Sequence, residues 1–524
     1  MMAVAALAVF LRNACTVNWH PLAIVMALLA TVPFLQFAAG VLFFSGQAWV
    51  CTAYVLGLLL ALLAGAQWEA ATPGKAADGL FLAIGIASMV SVGIQLWQWL
   101  GIAADTAELQ IWFAEYSPAR PSANLGQPNQ LATLFVWALL GCAWGSMRKQ
   151  IRPFFAISAA IVLLFGIALS QSRVAGVALL LVTCSAWGWR RFLPRGMPWV
   201  ATALFFYFVV CTLSLQAISD ALELGVQIRS ASLGGSSTQL RIKAYTLFLD
   251  AVAQKPLWGY GWNQLALAQL SVADRHPTLT AFFMHSHNLF LDFVLWCGIP
   301  IGGVFSVYII AWWIRCIKRV ANIEDAILIM FVTAVGLHAM VELPLHHAYL
   351  LLPTGLVMGM LNQRMHHRVI WASSRWIIVG LCVGASILLF IIIKDYLRVD
   401  EGLREYKLEQ SHVGQLPPGK PPEVLLLNDM RAFIQYARLE VSPSDTEQDL
   451  VQMETIAVVF PTPINMFNYA KALAFRKGPE AAAAWIKKVQ MVQPKEVNHD
   501  MRINWIAQSR TQPAMAAVKW PLME

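Results

Sequence analysis

Eleven apolar runs, each near the length of a membrane-crossing helix, follow one another through the first 393 residues of this 524-residue chain. Crossing the hydrocarbon takes about 20 such residues. Lipid offers no partner to backbone N–H and C=O groups, so each run must satisfy its own as a helix. The runs lie at roughly 20–44, 47–66, 78–100, 128–147, 153–170, 174–189, 197–218, 289–313, 324–342, 347–362 and 370–393. Met1 to Leu11 is apolar but short, and has neither the basic leader nor the small-residue cleavage site of a secretory signal, so it is left uncounted. A chain that is 58% hydrophobic and 13% charged fits this reading and excludes a soluble multidomain protein. The expected fold class is all-α: a polytopic membrane helix bundle over 1–393 with a long loop at 219–288, followed by a helical C-terminal domain over 394–524.

The net charge of +8 does not point to nucleic acid. Residues 394–524 are balanced, with 16 Lys/Arg and 16 Asp/Glu. Twelve of the remaining basic residues fall in four short connections, around Arg148–Arg152, Arg190–Arg195, Arg315–Arg319 and Arg364–Arg375. These are alternate connections, the pattern of cytoplasmic loops under the positive-inside rule. Segments 101–127, 170–176, 219–288, 342–347 and everything after about 394 are then expected outside. All eight cysteines lie in or beside apolar segments, which leaves no disulfide framework.

Polar chemistry collects at the outer boundaries. Met284-His285-Ser286-His287-Asn288 opens the 289–313 run, whose one charged residue is Asp292. An ionisable group there is costly without a partner or a function. His287 has the chemistry of a general base for a hydroxyl, with His285 as the alternative; the competing reading is a histidine that caps or hydrogen-bonds at the helix start beside Asn288. Ser170 to Gly176 carries a small-residue turn, which puts Arg173 in a minimal external loop. Arg173 and Arg241 have the forked donors that grip phosphate, against the simpler reading of snorkelling or a surface helix. Arg241 sits in a helix-like run that starts near Ser237 or Thr238, shows an apolar face including Tyr245 and Phe248, and stops at Lys255-Pro256. Two weaker groups are Ser122 to Gln130, with Gln127, and Val341 to Tyr349. Trp258-Gly259-Tyr260-Gly261-Trp262 reads first as interface anchoring. In the C-terminal part, Phe467 to Phe475, Lys477-Gly478-Pro479 and Ala481 to Val489 read as a helix-turn-helix like one degenerate tetratricopeptide repeat. There is no phosphate loop, zinc helix or Asp-x-Asp pair, so an ATP-driven pump and a metal-dependent transferase are disfavoured.

In order, Ser172-Arg173-Val174-Ala175-Gly176, Arg241, Pro256-Leu257-Trp258-Gly259-Tyr260-Gly261 and His287-Asn288-Leu289-Phe290-Leu291 resemble the shared Wzy C-terminal region of the O-antigen ligase and O-oligosaccharyltransferase superfamily. The resemblance covers about 120–360. Asn124 to Asn129, Glu342 to Tyr349 and the extra C-terminal region are most similar to the PglL-type protein O-oligosaccharyltransferases. It implies a bacterial inner-membrane enzyme with its active site and C-terminal domain in the periplasm. The implied donor is an undecaprenyl pyrophosphate-linked oligosaccharide, and the acceptor a Ser or Thr of a periplasmic protein such as a pilin. No metal or other cofactor is implied, and the further partners are membrane lipids rather than nucleic acid. By position, His287 would be the base, Arg173 and Arg241 would hold the pyrophosphate, and Gln127, His285, Asn288 and Tyr349 would support the site. The alternatives are an O-antigen ligase or polymerase using lipid A core or a glycan as acceptor and, from another class, a transporter or flippase with binding groups near mid-membrane.

Overall fold

The computed structural model describes residues 16–102, 117–225, 236–276, 279, 281–366, 368–411 and 419–521. Met1 to Leu11, residues 226–235 and 412–418, and the side chains of Ser237 and Thr238 lie outside that set. Each of the eleven expected runs contains a helix. Among the described residues, eight helices are long and apolar enough to cross a membrane, including Pro128–Met147, Pro153–Ser170 and Met197–Ala221. The other three, Arg173–Gly188, Ile323–His338 and Ala348–Arg364, are 16, 16 and 17 residues long. The protein is therefore an all-α, multi-pass membrane bundle. Its only named strands among the described residues are Thr16–Trp19 and Trp371–Ser374, a four-residue antiparallel pair in which Trp19 Nε1 donates to Ser373 Oγ at 2.9 Å.

The chain divides into two compact units. The first comprises Met1–Met26, Gly57–Leu233 and Tyr308–Cys382. Its buried centre is aromatic: Trp137 stacks on Phe331 with ring centroids 3.9 Å apart and donates to the Phe331 carbonyl at 2.9 Å. Close approach rather than apolarity selects helix partners in lipid. At Gly359 a Cβ would stand 2.0 Å from the Leu62 carbonyl oxygen, so this position must be glycine for the Ala348–Arg364 helix to seat.

One end of this unit is tied by charge. Arg364 reaches Glu69 at 2.7 Å, Asp325 at 2.7 Å and Glu324 at 2.8 Å, while Arg148 bridges Asp78 at 2.7 Å and Glu324 at 3.0 Å. These residues come from the ends of five helices that meet at one level, which makes this the basic end. Gln127, Ser170, Arg173 and the 339–347 turn belong to the opposite helix ends.

The second unit comprises Ala27–Leu56, Gly234–Val307 and Val383–Glu524. The Arg375–Gln410 helix continues well past the expected limit at 393. Asp395, buried within it, accepts from the backbone N–H groups of Leu425, Leu426 and Leu427 at 2.6 to 3.2 Å. The single helix-turn-helix expected from sequence sits inside a longer succession: Glu447–Val459, Pro463–Arg476, Pro479–Val492 and Lys495–Ser509. Phe467, Ile486 and Trp505 form the core of that succession, and Leu270 and Ala273 from the long loop are buried in the same core. Loop and C-terminal region thus share apolar contacts that neither segment's own pattern foretells.

Candidate active site

The residues singled out in the sequence fall in both units. In the second unit, Asn288 caps the Leu289–Gly298 helix, its Oδ1 accepting from Phe290 N and Leu291 N at 3.1 Å each. Ser286 Oγ donates to the Asn288 carbonyl at 3.0 Å, and Ser286 N donates to Asp292 Oδ1 at 3.0 Å. Asp292, the one charged residue of this run, is fully buried and pulls the preceding turn back over the helix start. His287 lies between these anchors at φ 60°, a left-handed conformation that costs a non-glycine residue about 1–2 kcal/mol. The N-cap of this helix is Asn288, the neighbour of His287. The His287 ring stands edge-on to Phe283 at 6.4 Å, and Met284 beside it is exposed.

The Ser236–Gln254 helix carries Arg241 and, one turn on, Tyr245, whose hydroxyl donates to the His287 carbonyl at 3.5 Å. Helical spacing puts positions i and i+4 on one face. Burial raises the Tyr245 phenol above its ordinary value; the Arg241 charge works against that shift and the Asp292 carboxylate adds to it. Tyr245 therefore lies within electrostatic reach of the cation, the carboxylate and the histidine turn. Sequence periodicity places it only on an apolar face, and its hydroxyl is the signal that could have distinguished it from Phe248.

The aromatic-glycine stretch behaves differently from the expected interface anchor. Tyr260 N donates to Leu295 O at 2.7 Å, Gly261 N to Trp296 O at 3.1 Å and Ile299 N to Pro256 O at 2.7 Å. The strip runs along the π-helical break at Ile299–Gly303, and a Cβ at Gly259 would meet the Leu295 carbonyl oxygen at 2.5 Å. Trp258 remains exposed, whereas Tyr260 and Trp262 are buried, the latter stacked on Trp296 at 5.3 Å. These glycines serve helix contact on the mouth of the 289–318 segment.

In the first unit, the Pro153–Ser170 helix ends at Gln171 in the left-handed region, Ser172 caps the next helix by accepting from Ala175 N, and Arg173 is its first residue, exposed. This is the reversal expected at Ser170 to Gly176. Arg120 Nε donates to the Ser170 carbonyl at 3.1 Å and Gln95 Nε2 to Gly166 O and Pro121 O, which fixes the 119–123 segment against that helix end. Gln127 caps Pro128–Met147, accepting from Gln130 N at 2.7 Å, and its Nε2 donates to Glu342 at 3.4 Å. Asn129 also donates to Glu342, at 3.3 Å, and Tyr349 donates to Gln130 Oε1. The two weak sequence groups, 122–130 and 341–349, are therefore one hydrogen-bonded assembly. His347 lies 5.4 Å from the Tyr349 ring, and burial, with His347 second, pushes the His346 imidazole down to about 4. A neutral imidazole at physiological pH offers a hydrogen-bond acceptor. His338 Nδ1 lies 2.9 Å from Thr133 Oγ1 in the same helices. Among the described residues, no group of three or more His, Cys, Asp or Glu side chains could hold a metal ion.

Residues 158–306 match the O-Antigen ligase family, and residues 327–505 match the family described as virulence factor membrane-bound polymerase, C-terminal. The chain is 26% identical over 475 residues to the general O-oligosaccharyltransferase of Acinetobacter baylyi, covering 89% of this chain and 82% of that one. These matches support the O-antigen ligase and O-oligosaccharyltransferase superfamily as what the chain is similar to. A second relative from the same organism, the ComP-specific O-oligosaccharyltransferase, is 24% identical over 396 residues, 73% of this chain and 71% of the relative. The superfamily match spans both units: the first profile includes Arg173, Arg241 and His287, and the second begins in the Ile323–His338 helix and extends through the C-terminal helices.

Proposed function

We propose that this chain is an O-linked oligosaccharyltransferase that moves a glycan from undecaprenyl pyrophosphate to a Ser or Thr hydroxyl of a periplasmic protein, in the bacterial inner membrane, with the catalytic groups and residues 394–524 facing the periplasm. The observation that carries this reading is the fixed turn 285–292, which holds His287 in left-handed backbone with the Tyr245 hydroxyl on its carbonyl and Arg241 one turn before Tyr245 on the same helix, in a chain similar to O-oligosaccharyltransferases.

In this scheme His287 takes the acceptor O–H proton as the acceptor oxygen forms a bond to the glycan anomeric carbon. The bond from that carbon to pyrophosphate breaks, and its electron pair leaves on the lipid pyrophosphate. Arg173 and Arg241 hold that pyrophosphate and stabilise its growing charge. Asn288 sets the turn; His285, Gln127 and Tyr349 support donor and acceptor. The donor brings its own leaving group, so proton removal, alignment and charge neutralisation are all that the protein must supply, and the proposed step uses no metal.

The match to the O-Antigen ligase and polymerase families favours one second reading, with lipid A core or a growing glycan as acceptor. Purified protein given lipid-linked oligosaccharide and offered a pilin or lipid A core, with products read by mass spectrometry, separates the two. Glycosylated pilin is expected. Glycosylated core alone would reject the protein acceptor, and solute movement into liposomes without any glycoconjugate would reject transfer itself.

A further inference from the structure

The first unit contains a cavity of about 540 Å³, within the size range of small-molecule sites, that reaches the basic helix ends. Four helices and their basic-end turns enclose it: Pro128–Met147, Pro153–Ser170, Arg173–Gly188 and Met197–Ala221, with Ala326, Ile327 and Met330 closing one side. Its wall is overwhelmingly apolar. Leu139, Ala160, Leu164, Val182, Ala201 and Leu204 give water no partners, so a stable water cluster would not fill it. Within a bilayer, a partly open apolar space between helices is occupied by hydrocarbon.

The rim gives the occupant a charge. Lys149 lines the cavity directly. It belongs to the turn Arg148-Lys149-Gln150-Ile151-Arg152, and the facing turn is Arg190-Arg191-Phe192-Leu193-Pro194-Arg195; neither contains an acidic residue. Arg148 is committed to Asp78 and Glu324, whereas Lys149, Arg152, Arg190, Arg191 and Arg195 are exposed. An aromatic group flanks the same level: Phe154 and Phe155 are exposed, and exposed Trp199 meets Trp187 edge-on at 4.9 Å. Aromatic girdles of this kind mark the headgroup boundary. Apolar cavity, cationic rim and aromatic level coincide at one helix end.

We propose that this cavity is a binding site for an anionic phospholipid, with an acyl chain inside and the phosphate headgroup held by Lys149, Arg191 and Arg195. The site is distinct from the transfer chemistry and independent of the acceptor assigned to it. Basic pockets between membrane helices recognise anionic headgroups in this way.

The test uses the full chain, purified in mild detergent or in nanodiscs, with native mass spectrometry counting retained phosphatidylglycerol against phosphatidylcholine. Wild type is expected to retain phosphatidylglycerol selectively and to melt at higher temperature when it is added. The exposed-surface variant Lys149→Gln/Arg191→Gln/Arg195→Gln should bind it about a hundredfold more weakly, on the order of fivefold per cation. Ala201→Phe, which fills the cavity and leaves the cations, should lose both lipids. Equal retention of the two lipids by wild type would overturn the proposal. So would unchanged phosphatidylglycerol binding in Ala201→Phe, displacement by inorganic phosphate alone, or retention of polyprenyl phosphate in place of phospholipid.

Discussion

The basic helix ends and the 285–292 turn both bury charge, and they use it in opposite ways. At the basic ends, two arginines and four carboxylates from five helices satisfy one another, with Arg364 alone meeting three. At the turn, one carboxylate is spent on a single backbone N–H, and the geometry it holds leaves His287 in a conformation that non-glycine residues seldom adopt. The first arrangement closes on itself and fastens helices. The second holds a non-glycine residue in left-handed backbone, as expected where strain persists only because its surroundings over-determine it.

That contrast sorts the mutations. Arg364→Ala leaves three neighbouring carboxylates without their shared cation and should cost about 3–5 kcal/mol, read as a lower melting temperature with transfer per folded molecule intact. A normal melting temperature would show that the cluster does not fasten the bundle. Arg173→Ala and Arg241→Ala should reverse the pattern, each weakening donor engagement by on the order of 10- to 100-fold, the worth of a charge-assisted contact, at near-normal stability. Donor titration checks this, and unchanged affinity in both variants would remove them from pyrophosphate binding. Asp292→Ala should fall between, costing about 1–3 kcal/mol by leaving the Ser286 N–H without its acceptor and lowering transfer through a displaced turn. Smallest should be Tyr245→Phe, which keeps the ring and removes only a 3.5 Å contact to the His287 carbonyl: a fewfold loss of turnover without a change in melting temperature. A Tyr245→Phe loss as large as that of the arginines would give the phenol a chemical part of its own.

Much of this is legible in the residues. Pro128 and Pro153, just inside their helices, stand where the expected runs begin, and Gln171 with Ser172 supplies the C-cap and N-cap that turn the chain before Arg173. Spacing cannot reveal which turns meet. Gln127 and Glu342 are 215 positions apart, and only the packing of their helices makes them partners. Hydropathy falls after Ile393 and so ends the expected span there, although nothing beyond it breaks the Arg375–Gln410 helix; Asp395 looks like the start of a polar tail and is instead a buried acceptor for three backbone groups. Trp258 to Trp262 misleads for a related reason. Ring-rich, glycine-spaced segments suit a lipid interface and a tight helix contact equally well, and the backbone hydrogen bonds to 295–299 decide between them.

His287 carries the central claim, and a paired measurement on His287→Ala tests it most directly: donor binding and single-turnover transfer, using purified protein, lipid-linked oligosaccharide and a hydroxyl acceptor. Loss of a general base should lower transfer by about 10²–10⁴-fold while donor affinity and melting temperature stay near wild type. Wild-type turnover in the variant, or a fall in transfer fully explained by lost donor binding, would contradict the assignment.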